Sequence, residues 1–167
     1  MGSVAEEIFR RAPCPVLTVG PNVCGEPDML SDIRTILCPV DFRPESLAAI
    51  PYAMSLAEQN QARLYLLHVA AGTVDEFPEV SLKAALRALV PSGAELWCEP
   101  KAFVEYGVPA QKILESAEEL GVDVIVLGVK AAAMLASKSP HLAMATAYKI
   151  VTESICPVLT VRGRPTK

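Results

Sequence analysis

The side chains of this chain that could do chemistry are few. Asp41 follows directly on an apolar run, Ile36-Leu37-Cys38-Pro39-Val40, and His68 ends a second one, Leu66-Leu67-His68-Val69. A carboxylate and an imidazole can work as general acid and base when they lie within hydrogen-bond reach of each other or of a nucleophile. The plainer reading of His68, a sheet-end histidine held by a backbone group, is the one its neighbours Leu67 and Val69 favour. Lys130 could meet a phosphate or be a solvated loop charge, and His141, after Pro140, reads as an exposed loop residue able to touch an anion. The cysteines, at 14, 24, 38, 98 and 156, form no Cys-x-x-Cys pair. That spacing argues against a zinc site or a disulfide frame. Those at 14, 38 and 156 each precede a proline in or beside an apolar strand and read as buried small hydrophobes of a reducing cytoplasm. No Gly-x-Gly-x-x-Gly, Gly-x-x-x-x-Gly-Lys-Ser/Thr or Gly-x-Ser-x-Gly occurs.

The elements that must position these residues come from 167 residues, about one domain's worth. Hydrophobic residues make up 51% and charged residues 20%, enough for a packed core. Fifteen Lys and Arg against nineteen Asp and Glu give a net charge of -4, which argues against a nucleic-acid or anionic-membrane partner. No apolar run is long enough to span a bilayer, and the start lacks the basic-then-apolar pattern of a secretion signal. Along the chain, Thr35–Val40 reads as a buried strand, followed by a helix over 45–60 with a kink or late start at Pro51. A strand over 63–69, a helix over 80–90, a strand over 97–104 interrupted at Pro100, and a helix opening at Pro109 follow. Glu115, Glu118 and Glu119 belong to the wet face of that helix. Val122–Leu127 is the most strand-like run, Gly128 comes just after it, and a last helix over 142–154 leads to a strand over 157–161. Alternating strands and helices imply an α/β fold, a five-stranded parallel sheet with helices on both faces. Ligands of such sheets bind beyond the carboxyl ends of the strands, where the strand order reverses. That rule gathers Asp41, Val69 and Gly128 around one crevice.

The two ends of the chain repeat. Cys14-Pro15-Val16-Leu17-Thr18-Val19 recurs unchanged as Cys156-Pro157-Val158-Leu159-Thr160-Val161, and the same offset sets Ala5 on Ala147 and Ile8 on Ile150. Each copy reads as a helix, a proline-marked break and a short strand. The expected organisation is a helix–strand remnant of a preceding repeat over 1–20, a linker over 21–33 and a complete unit over 34–163. Gly, Pro and Asx residues between 20 and 28 suit the linker. An apolar edge at 157–161 invites pairing, so strand 14–19 is expected to lie antiparallel to it, within one chain or between two. Helix 3–11 would then cover the neighbouring face with Ile8 and Phe9. The apolar surface of the half-unit predicts a homodimer through the terminal strands.

The order and spacing of several segments resemble the universal stress protein family. These are Ile36-Leu37-Cys38-Pro39-Val40-Asp41-Phe42, Leu66-Leu67-His68-Val69, Gly107-Val108-Pro109 with Ile113-Leu114, Asp123-Val124-Ile125-Val126-Leu127-Gly128, and Cys156-Pro157-Val158-Leu159-Thr160-Val161. The similarity runs over about 33–162, and the repeat makes the chain look like the C-terminal part of a tandem-domain member. The resemblance implies a Rossmann-like sheet, often dimerised through its last strand, and in many members an ATP site. The family's ATP signature is a glycine, two residues, a second glycine, nine residues, then a third glycine and Ser or Thr. Small residues let the backbone approach the phosphates, and a helix N-terminus binds the anion.

This chain departs from that signature. Gly128 is present, but position 131 is alanine, and the repeat aligns Gly2-Ser3 with Met144-Ala145. Met144 lies 16 residues after Gly128, where the signature allows 13. The expected consequence is a degenerate nucleotide pocket around Asp41, Val69, Gly128, Lys130, Met144 and Ala145, filled by Met144 and without a hydroxyl at Ala145. No bound cofactor is expected, and no catalytic residue is assigned. Asp41 either stands where binders place an acid near the ribose or caps the following helix. The expected role is a cytoplasmic stress-response module acting by association. The alternative is an ATP-binding switch with slow hydrolysis.

Overall fold

The structure, a computed structural model, describes residues 8, 12–23, 32–73, 78–94, 98–130 and 142–163, the side chains of 142–144 excepted. Its strands are β1 (Val16–Thr18), β2 (Thr35–Pro39), β3 (Arg63–Ala70), β4 (Lys101–Tyr106), β5 (Val124–Val129) and β6 (Val158–Arg162). Its helices are α1 (Pro44–Asn60), α2 (Glu79–Arg87), α3 (Pro109–Glu119) and α4 (Leu142–Glu153). The strands form one six-stranded sheet in the order β1-β6-β5-β2-β3-β4. Five are mutually parallel, and β1 alone is antiparallel, on β6. The expected parallel sheet is therefore present, with the N-terminal strand added to its edge within the same chain.

Alternation along the strands splits the interior into two cores. Ile36, Cys38 and Val40 of the β2 segment face one side, with Leu64 and Leu66 of β3. There they meet Ala49, Ile50, Ala53 and Ala57 of α1 and Leu86 of α2. Leu37 faces the other side, with Tyr65, Leu67, Ile125 and Leu127, against Ala110, Ile113 and Ala117 of α3 and Ala147, Ile150 and Val151 of α4. Side chains of period two on the strands and of three to four on the helices are what seat helices on both faces. The alanines on the α1 stripe let that helix lie close to the sheet.

Several boundaries follow from local chemistry. Pro44 starts α1, where a missing N–H costs nothing, and the helix runs on through Pro51 instead of starting after it. It stops at Gln61, which takes the left-handed conformation with φ 51° and donates its N–H to Glu58. Strand β4 begins after Pro100, at Lys101, and extends to Tyr106, so the interruption expected at Pro100 is its start. Strand β5 continues past Leu127 through Gly128 to Val129, which places Gly128 inside the strand.

One clamp was not foreseen. One carboxylate oxygen of Asp123, at the entry to β5, accepts the backbone N–H groups of both Arg34 and Thr35 at 2.8 Å. The Asp123 N–H in turn donates to the Thr35 carbonyl at 2.9 Å. The side chain thereby fixes β2 beside β5, the pair at which the strand order reverses.

At the N-terminal end, Ile8 is helical but 53% exposed, so it does not cover the sheet as expected; the other residues of the helix expected over 3–11, Phe9 included, lie outside the described residues. The stretch after β1 packs on the end of α4. Asn22 donates its side-chain amide to the Thr152 and Glu153 carbonyls, and a Cβ on Gly20 would stand 3.0 Å from the Val151 carbonyl.

Candidate functional site

Strand order reverses between β2 and β5, because the chain moves to β3 and β4 on one side and to β6 on the other. The carboxyl ends of β2, β3 and β5 therefore bring together Val40-Asp41, Val69 and Gly128 to Lys130, as the sequence suggested.

The β2 end is closed by local hydrogen bonds. The Val40 N–H donates to the Leu67 carbonyl at 2.8 Å, and the Val40 carbonyl lies 2.7 Å from Nδ1 of His68. A carbonyl can only accept, so Nδ1 carries the proton and Nε2 is left as the second ring position. His68 is thus held by the backbone. Phe42 adopts the left-handed conformation with φ 60°, and its ring stands 5.0 Å from the imidazole, centroid to centroid. Positive φ is costly for a bulky residue, and here it packs Phe42 against the core below α1.

Asp41 belongs to the turn that launches α1. One carboxylate oxygen accepts the Arg43 N–H at 3.0 Å, and the other faces the Arg43 Nε at 3.7 Å. The Asp41 N–H donates to the Ser46 hydroxyl at 3.2 Å, and that hydroxyl donates to the Arg43 carbonyl at 3.0 Å. Asp41 therefore orders the turn before α1 without capping it: the residue at the cap position is Arg43, and the helix start has no side-chain cap hydrogen bond. Ser46 and Arg43 carry this turn and were not singled out from the sequence. The signal was a serine five residues after the acid, inside the helix's first turn.

Gly128 is committed to packing. A Cβ there would stand 2.2 Å from the Glu45 carbonyl oxygen and 2.6 Å from the Ser46 Cα. Gly163, just past β6, does the same for Glu45, with a Cβ 2.9 Å from its Cα. The absent side chains at the ends of two neighbouring strands form a seat for the first turn of α1. Close backbone approach is the general reason for glycine at such a place, and here the approaching backbone belongs to the protein itself.

The other expected pocket residues are less engaged. Val69 is half-buried and packs against the α3–α4 core, and Lys130 is exposed. Met144 and Ala145 stand within the first turn of α4, inside the helix expected over 142–154; Ala145 is exposed, and the Met144 side chain and residues 131–141, His141 included, lie outside the described residues. A groove of about 220 Å³ between α3 and α4, lined by Glu115, Glu118, Lys149, Glu153 and neighbours, shares no residue with the crevice.

The thiols divide in a way the sequence did not predict. Cys38 and Cys156 are buried, but Cys14 is exposed, because the edge strand that follows it has no layer outside it. Burial pushes the Cys38 thiol up to about 12 and raises that of Cys156, against a smaller opposing effect of the Ser154 hydroxyl. The reactive form is the thiolate. Native protein at pH 8 treated with a thiol reagent is therefore expected to leave Cys38 and Cys156 unlabelled until it is unfolded, with Cys14 modified first by mass spectrometry. Prompt native labelling of Cys38 would contradict this packing.

No helix among the described residues is long and apolar enough to cross a membrane. A family model described as the universal stress protein family matches residues 32–162. Universal stress protein G of Escherichia coli O157:H7 is 30% identical over 145 residues, covering 77% of this chain and 99% of the relative. A crystal structure of a universal stress protein from Archaeoglobus fulgidus superposes with a TM-score of 0.73 at 20% identity, covering all of this chain and 56% of that one. A universal stress protein solved in complex with cAMP superposes with a TM-score of 0.60 at 17% identity, over 80% of this chain and 99% of its own. With its strand order, its two helical layers and a match over most of its length, the chain belongs to the universal stress protein family.

Proposed function

We propose that this chain is a stress-response module that works by association and not by chemistry, its crevice no longer built for ATP. The observation that carries the reading is the use of Gly128. The one glycine that stands where the ATP signature begins has its open side filled by the Glu45 backbone at hard contact. The signature's later small residues are Ala131, Met144 and Ala145 in this chain. Asp41 has its carboxylate engaged by Arg43, a partner that competes with any ligand hydroxyl.

Association falls to the terminal strands. Strand β1 pairs with β6, and Leu17 and Val19 beside it are 40% and 61% exposed. Apolar side chains on an edge strand are a site of pairing, and a second copy of this chain burying them gives a cytoplasmic homodimer. The tandem origin of residues 1–20 is supported by the solved relative that takes in the whole chain and is nearly twice as long. Sedimentation equilibrium tests the reading: a dimer whose mass is the same with and without ATP and magnesium supports it, whereas a monomer, or a mass that follows ATP, refutes it.

The second reading is a nucleotide switch with slow hydrolysis. It is favoured by the convergence of Asp41, Gly128 and Lys130 on the switch point, and by a structural relative described in complex with cAMP.

A further inference from the structure

The turn that follows β1 closes the far end of the last helix. The Val23 N–H donates to the Gly20 carbonyl at 3.2 Å, so Gly20-Pro21-Asn22-Val23 is a tight turn with proline at its second position. The sequence suggested only a linker here. In the structure the turn lies on the C-terminus of α4. The Ile150 carbonyl accepts the Ser154 N–H at 2.9 Å. The carbonyls after it, of Val151, Thr152 and Glu153, are those that a helix end leaves without intrahelical donors. The last turn of α4 carries no basic side chain to meet them. Asn22 meets two of them from the other end of the chain: its side-chain amide donates to the Thr152 carbonyl at 3.4 Å and to the Glu153 carbonyl at 3.3 Å. Both partners can only accept, so the amide nitrogen faces the helix. Gly20 passes the third, where a Cβ would stand 3.0 Å from the Val151 carbonyl oxygen.

The rest of the segment is held by few groups. Strand β1 is three residues long, and Leu17 and Val19 are exposed. Beside its ladder to β6, the Ala12 carbonyl accepts from Arg162 at 2.9 Å and the Val16 carbonyl from the Thr160 hydroxyl at 3.1 Å. A short edge element with solvent-exposed bonds belongs to the part of a protein that opens locally, well below the free energy of global unfolding. Helix α4 is anchored in the core at Ala147, Ile150 and Val151, yet its last carbonyls rest on this segment.

We propose that residues 12–23 form a detachable strap whose Gly20–Val23 turn latches the C-terminal end of α4, so that the seating of β1 and the order of the last turn of α4 are coupled. The latch needs no second copy of the chain and holds for a monomer or a dimer alike. Coupling of this kind is reciprocal. Whatever fixes α4 favours the seated strap, and a partner that draws the strap away frays α4 from Glu153 backwards. The latched end carries Glu153 and Ile155, which line the groove with α3, so the same release reshapes that groove.

Amide-resolved hydrogen exchange of the full chain tests this. Asn22→Asp keeps the shape of the side chain, removes the donor and sets a charge at the negative end of the helix. The Ser154 amide is expected to exchange about tenfold faster, as the loss of two exposed hydrogen bonds allows. The second variant acts on the strand. The Pro157 carbonyl and the Gly163 N–H bond to β5, so even positions of β6 face β1, and Val16 opposite Thr160 is a hydrogen-bonded pair. Val16→Pro therefore removes a ladder N–H, and it too is expected to speed exchange at Ser154. The Val40 amide, bonded to the Leu67 carbonyl, is expected to keep its protection in both variants. Unchanged exchange at Ser154 in Asn22→Asp overturns the latch. Faster exchange in Asn22→Asp but not in Val16→Pro overturns the coupling, and with it the proposal. An equal loss at Val40 in either variant also overturns it, since the chain would then be loosened throughout. Should Val16→Pro not fold, Thr160→Val, which removes the hydroxyl bonded to the Val16 carbonyl, takes its place under the same criteria.

Discussion

Replacing Gly128 by valine is expected to destabilise the fold by about 3 kcal/mol, the upper part of the usual range for overpacking. The reason is the 2.2 Å separation between a Cβ at this position and the Glu45 carbonyl oxygen. The obstacle is backbone in the first turn of α1, not the end of a flexible side chain, so relief requires the helix to shift. That helix packs on the sheet through Ala49, Ala53 and Ala57, which leave no slack. Urea unfolding reads the effect as a lower midpoint at unchanged m-value. The loss is expected without any nucleotide present. A valine variant as stable as the parent would show that the glycine is not a packing residue, and would return it to the candidate phosphate site.

Removing the Asp123 carboxylate, as Asp123→Ala, is expected to cost about 2 to 4 kcal/mol. Its oxygen accepts two backbone N–H groups at 2.8 Å, from Arg34 and Thr35, where β2 enters the sheet. Hydrogen bonds to a charged acceptor are worth roughly 1.5–3 kcal/mol each, and water reaches the Arg34 end of the pair, which tempers the sum. Hydrogen exchange adds a sharper readout. The Thr35 amide should lose protection more than the amides of β4, on the other side of β3. Uniform loss of protection across the sheet, or none, would contradict a clamp at this corner.

Much of the fold could be read from the residues because periodicity and proline placement act locally. The apolar-rich runs at 35–40, 63–69 and 122–127 read as strands and are strands, and the proline at 109 opens a helix in the structure as well. The repeat carried longer-range information, for it anticipated the antiparallel pairing of 14–19 with 157–161. The misses share one cause. Whether Gly128 approaches a ligand or its own chain depends on where α1 begins in space, and no local pattern encodes that. The reach of Asp123 across to Arg34 and Thr35 is equally non-local. Cys14 looked like Cys156 because the two have the same neighbours in sequence, yet one is exposed and the other buried, since only β6 has strands on both sides.

The same distinction governs the crevice. The topology gathers Asp41, Val69, Gly128 and Lys130 at the switch point, and the sequence foresaw that. The atoms there are spent on the turn from β2 to α1: the Asp41 carboxylate on Arg43, the His68 Nδ1–H on the Val40 carbonyl, the Gly128 space on Glu45. These contacts support the proposed reading, that the crevice is no longer built for a triphosphate.

The most direct measurement is the stability of the full chain in urea with and without ATP and magnesium. A ligand present at about 100 times its dissociation constant adds roughly 2.7 kcal/mol to the native state. The account predicts an unchanged unfolding midpoint at millimolar ATP. A midpoint raised by that amount, and lost again on substituting Lys130, would contradict it.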